Sequence, residues 1–111
     1  MLYLIEAKAI DSAVAGAPEQ VVPILENQVI PSYKTIVEGE RGKKFTGGVL
    51  AGRRSWAIIV DFPNNDEAHK WVSSLPFWTI QDVEITPMVS FQTQLDGATR
   101  IMQNMKSMLK K

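Results

Sequence analysis

The chain has 111 residues with 12 basic and 12 acidic side chains, so it carries no net charge and no basic field to gather nucleic acid or acidic lipid. That length suits one domain with a modest core, and the absence of cysteine excludes disulfides, thiolate metal sites and a cysteine nucleophile while suiting a reducing compartment. No apolar run approaches the roughly 20 residues of a membrane helix, and Glu6 and Lys8 interrupt the opening run as a signal core, so a cytoplasmic protein without a membrane partner is expected.

Met1 to Ala9 read as a first strand, with Leu2 and Leu4 on one face and Tyr3, Ile5 and Ala7 on the other. Ile10 to Pro18, small and polar, read as a loop. From Glu19 to Glu38 the apolar positions Val22, Leu25, Val29, Tyr33 and Ile36 recur at spacings of three and four, the stripe of a helix. Pro23 is tolerable in a first turn, whereas Pro31 removes an interior hydrogen bond and predicts a bent or broken helix. Glu38 to Lys44 form a charged, glycine-punctuated turn that ends it. Phe45 to Ala51 and Ser55 to Phe62 then read as a hairpin around Gly52-Arg53-Arg54. Asn64, Asn65 and Asp66 offer capping oxygens for a helix over Glu67 to Leu75, which Pro76 stops. Beyond it Val83, Ile85, Val89 and Phe91 alternate with Asp82, Glu84, Met88 and Ser90, the period of a strand with differently buried faces. In the tail, Leu95, Ala98, Met102, Met105 and Leu109 repeat at three and four, which predicts a helix best read as an arm that packs on a partner subunit.

The order is therefore β-α-β-β-α-β with a helical tail, an α+β protein. The second hairpin strand, Ser55 to Phe62, is apolar on both faces until Asp61. Two helices can cover only one side of a four-stranded antiparallel sheet, so the other side is left for a second sheet, most simply that of a second copy. A homodimer follows as an expectation from the residues alone.

His69 is the single histidine and lies in the first turns of a helix, where the helix dipole favours a neutral base or hydrogen-bond donor. Its structural alternative is a ring satisfied by a backbone carbonyl or by Glu84. Glu84 shares a strand face with Asp82, as Glu6 does with Lys8. If these faces turn toward the helices, Glu6 or Glu84 becomes a carboxylate in a partly desolvated cleft and a candidate general base; at a rim they are ordinary solvated charges. Arg53 could hold a substrate carboxylate, or simply sit in solvent in its turn. Tyr33, Trp56, Trp71, Phe77 and Trp78 could wall an apolar ligand pocket or form the core. A lone histidine without cysteine offers too few ligands for a metal.

Ala51-Gly52, Pro63, Glu67, His69, Leu75-Pro76 and the Asp82-x-Glu84 strand resemble the spacing of muconolactone isomerase and its relatives. The resemblance covers roughly Gly47 to Phe91, is weak before Phe45 and does not extend over Thr93 to Lys111. It implies a ferredoxin-like β-α-β-β-α-β body over residues 1–91, sheet-to-sheet pairing as a dimeric α+β barrel, and assemblies of dimers; the helical arm over residues 92–111 is read from its own spacing. It also implies a cleft for a small acid or lactone. The reaction it implies is isomerisation of a small unsaturated lactone or related carbonyl compound by proton transfer, without metal or redox cofactor, with His69, Glu84 and Glu6 as catalytic candidates and Tyr33, Trp56, Phe77, Trp78 and Arg53 at the substrate. Where the family carries bulky residues on its second strand, this chain has Thr46-Gly47-Gly48-Val49-Leu50. That departure leaves open a non-catalytic small-molecule-binding or assembly module, or a cofactor-independent monooxygenase of the same fold.

Overall fold

A computed structural model describes residues 1–10 and 16–110. Four strands, β1 (Leu2–Ala9), β2 (Phe45–Val49), β3 (Ser55–Asp61) and β4 (Gln81–Pro87), form one antiparallel sheet in the order β2-β3-β1-β4. Helical chain joins β1 to β2 and a further helix joins β3 to β4, each connection passing over one intervening strand. Most of the loop expected from Ile10 to Pro18 lies outside the described residues.

The first helical segment runs from Pro18 to Arg41 in three pieces: α1 (Pro18–Ile24), a π turn (Leu25–Val29) and α2 (Ile30–Arg41). The bend expected at Pro31 takes the form of that widened turn. Proline lacks the N–H that would bond the carbonyl four residues back, and its ring presses on that carbonyl, so a turn of larger radius just ahead of it relieves the clash without breaking the helix. α2 ends at Gly42, and it is Lys43, not a glycine, that takes the left-handed backbone, at φ 56°. A Cβ on Gly39 would collide with the Phe45 ring, so this glycine lets α2 lie against β2.

The β2–β3 connection turns at Gly52, whose φ of 75° suits glycine. α3 (Asn65–Ser73) begins where Asn64 Oδ1 accepts the Glu67 N–H at 2.9 Å, a side-chain cap. A 3₁₀ turn (Trp78–Ile80) leads into β4. That strand ends at Pro87, so Val89 and Phe91 do not extend it as their alternation suggested; Phe91 instead opens α4 (Phe91–Leu109). Ser90 caps α4, its Oγ accepting the Thr93 N–H at 3.1 Å.

All helical packing falls on one side of the sheet. Tyr3, Ile5 and Ala7 of β1 and Trp56, Ile58 and Val60 of β3 alternate inward and meet Ala68 and Val72 of α3, Leu75 and Phe77. Burying each large apolar side chain contributes about 1.5–3 kcal/mol. Among the described residues Ser32 is the one buried polar residue of this core. It donates to the Gln28 carbonyl at 2.6 Å and accepts the Phe77 N–H at 3.0 Å, which ties the loop after α3 to α2. The opposite side of the sheet is uncovered: Leu2 is 49 % and Ile59 42 % exposed. α4 has no buried residue and extends away from the body, giving a molecule 74 Å long and 28 Å by 24 Å across. None of the helices among the described residues is long and apolar enough to cross a membrane.

Candidate functional site

Two of the concavities that flank the sheet hold most of the sequence-predicted residues. The smaller, about 140 Å³, lies where α2 passes over β2 and β3. Tyr33, Ile36, Val37 and Glu40 line it from the helix, Gly47, Trp56 and Ile58 from the strands. Its glycine is dictated by the strand pairing itself, because a Cβ on Gly47 would strike the Ala57 carbonyl. At Gly47 the bare wall noted in the sequence is thus a consequence of close backbone approach at the β2–β3 ladder, whereas a Cβ on Gly48 would meet open space.

Aromatic rings frame this cleft. Phe77 stacks on Trp56 with centroids 5.9 Å apart and 13° between planes, and Tyr33 meets Phe77 edge-on at 5.5 Å. Phe77, only 1 % exposed, is therefore a core residue behind the wall. Burial raises the pKa of the Tyr33 phenol above its usual value, so it is a protonated donor at neutral pH. Trp56 is buried and its indole N–H has no acceptor among the described residues; Gln28 Oε1 and Gln81 Oε1 are likewise buried without partners. A glutamine amide can turn over to exchange oxygen for nitrogen, whereas an indole cannot, so the Trp56 donor is the one that calls for an acceptor from outside.

The larger concavity, about 490 Å³, opens toward the uncovered side at one end of the sheet, and Glu6, Lys8, Arg53, Trp56, Asp82 and Glu84 line it. Glu6 stands directly opposite Glu84, and Lys8 opposite Asp82, in the β1–β4 register. Both glutamates are exposed, so the sequence's alternative of a carboxylate desolvated beneath the helices does not hold for either. Like charges facing one another across a strand pair repel, and here they share a groove with two cations.

His69 takes part in neither. It lies on the exposed side of α3 with its ring 5.6 Å from Trp78 in an edge contact. α3 packs on the helix-covered face, whereas Glu6 and Glu84 occupy the other, so the sheet separates His69 from both carboxylates within one chain. The Trp78 ring pairs with His69 and that of Trp71 with Phe45 and Phe62, and both tryptophans pack, partly buried, against the core. Among the described residues no cluster of three or more histidine, aspartate or glutamate side chains is arranged to hold a metal ion.

Sequence reasoning passed over Ile36 and Val37 as cleft wall, Glu40 at its rim and Ser32 behind it. The signal was present for most of these: Tyr33, Ile36, Val37 and Glu40 follow at helical spacings on one face of α2. No protein-family model matches the chain, and no curated protein matches it in sequence.

Proposed function

We propose that this chain is a small-molecule-binding protein of muconolactone isomerase-like design, a ferredoxin-like half of a dimeric α+β barrel that takes a ring-sized carbonyl compound between α2 and the sheet. One observation carries the reading: the α2–sheet cavity is walled by apolar side chains and by Trp56, whose buried indole N–H lacks an acceptor. An apolar cavity of about 150 Å³ accommodates benzene, so a volume of 140 Å³ suits a five- or six-membered ring. A carbonyl oxygen on that ring would supply the missing acceptor, relieving an unpaired donor that otherwise costs about 1–3 kcal/mol. The strand order β2-β3-β1-β4 supports the ferredoxin-like assignment, and the uncovered apolar side supports pairing of two sheets.

A second reading keeps the proton-transfer chemistry and places it on the other side. Glu6, Glu84 and Arg53 share the open groove, an arrangement in which a guanidinium can hold a substrate carboxylate while a glutamate removes a proton made acidic by a carbonyl. His69 has no part in that scheme within one chain.

Calorimetric titration with a panel of small lactones and cyclic ketones separates the two. Binding in the α2 cleft predicts that Trp56→Phe, which removes the donor, and Val37→Trp, which fills the space, each weaken affinity about tenfold or more. Glu6→Gln and Glu84→Gln should leave that affinity alone. Loss of solvent deuterium incorporation next to the carbonyl on Glu84→Gln, followed by NMR, would instead favour the groove. A wild-type protein that binds no member of the panel would end the ligand reading while leaving the fold untouched.

A further inference from the structure

α4 carries a second surface that the body does not explain. Phe91, Leu95, Ala98, Met102, Met105 and Leu109 follow one another at alternating spacings of four and three, which is a repeat of about 3.5 residues sustained along the whole helix. All six are exposed, Phe91 at 95 % and Leu109 at 86 %. A seam this narrow suits another helix better than a broad sheet surface, and a lone helix of 19 residues is marginal in water without a partner.

We propose that α4 pairs antiparallel with α4 of a second copy, as a short coiled coil whose two-fold axis passes beside Arg100. Side-chain size selects this direction. Antiparallel pairing sets Phe91 against Leu109, Leu95 against Met105 and the small Ala98 against the long Met102, each contact occurring twice, so large and small side chains interdigitate. Parallel pairing sets Ala98 on Ala98 and leaves a void between facing Leu95 side chains and facing Met102 side chains. Charge selects the same direction. Lys106 lies in the last turn and Lys110 at the C-cap, and parallel helices gather both pairs of lysines at one end; antiparallel helices hold each Lys106 about 18 Å and each Lys110 about 30 Å from its copy, roughly two to three screening lengths. Ile101, 57 % exposed beside the seam, meets its own copy across the axis. This contact does not rest on the ligand reading and is separate from sheet-to-sheet pairing, so chains that use both surfaces assemble beyond a dimer.

The natural chain has no cysteine, which makes cross-linking unambiguous. Leu95→Cys and Met105→Cys are prepared separately and oxidised alone and as a mixture. The antiparallel pair predicts a disulfide-linked dimer in the mixture and little in either sample alone. Linkage of Leu95→Cys with itself, or no linkage in the mixture, overturns the proposal. Met102→Glu, on an exposed position, should halve the mass seen by sedimentation while leaving ligand affinity and the sheet spectrum unchanged. An unaltered mass, or a wild-type chain that sediments as a monomer, also overturns it. Loss of mass on Ile59→Asp but not on Met102→Glu would sink this contact and spare sheet-to-sheet pairing.

Discussion

At Ile58 and Ile59 the two sides of the sheet start from the same residue type and meet opposite fates. On β3, Ile58 is 3 % exposed and its neighbour Ile59 42 %, although chemistry and chain position hardly distinguish them. The helix-covered side converts each apolar residue into core. The other side holds Leu2, Leu4 and Ile59 at one end and Glu6, Lys8, Asp82 and Glu84 at the other, an apolar and a charged half in one surface. Residue type therefore says that β3 needs two covers, and only the placement of the helices says which cover this chain supplies itself.

Exchanging those neighbours tests the contrast most severely. Ile58→Asp brings an unpaired charge into the core and should cost about 3–5 kcal/mol, enough to abolish cooperative unfolding by circular dichroism. Ile59→Asp should keep the fold and its melting temperature in dilute solution while lowering the mass seen by light scattering. Equal unfolding by both would erase the distinction between the sides. Ser32→Ala is next in size. It leaves the Phe77 N–H buried without its acceptor, and chemical denaturation should show a loss of about 1–3 kcal/mol.

Tyr33 sharpens the comparison through pH. Its folded pKa is raised by burial, so the neutral phenol is favoured in the native state and its contribution is intact below the unfolded value near 10. Above that pH the unfolded chain ionises first and stability falls as pH rises. Tyr33→Phe should flatten this alkaline loss in melting curves, measured as the difference from wild type; an unchanged slope would mean the ring is not desolvated. The smallest effect belongs to the open side. Glu84→Lys replaces a like-charge pair with Glu6 by an attractive one and should raise stability by at most about 0.2–1 kcal/mol, a gain that high salt removes.

The alternation of β1 and β3 makes their two faces legible in the sequence alone, because a period of two leaves no freedom about which residues share a side. The widened turn was legible as a disturbance at Pro31, though proline reports a clash and not how the helix resolves it. β4 was overextended because Val89 and Phe91 keep the alternating pattern past Pro87, and the cap at Ser90 competes with it. The separation of His69 from Glu6 and Glu84 was not legible. It depends on which side α3 chooses, a decision made by Ala68 and Val72 against the β1–β3 core and not by the spacing of the three residues along the chain.

The π turn also sets the phase of the long helical segment. Val21, Ile24, Gln28, Ser32 and Ile36 are all at least partly buried, a run of 15 steps in four turns. A uniform α-helix advances about 100° per residue and would arrive at Ile36 rotated by about 60° from Val21, turning one end of the segment off the body. The extra residue held in the wide turn absorbs that drift, so α1 and α2 present one continuous inner edge. Deleting a single residue between Leu25 and Val29 would then act as a rotation, swinging Val21 and Ile24 around the axis while Tyr33 and Ile36 stay on the sheet.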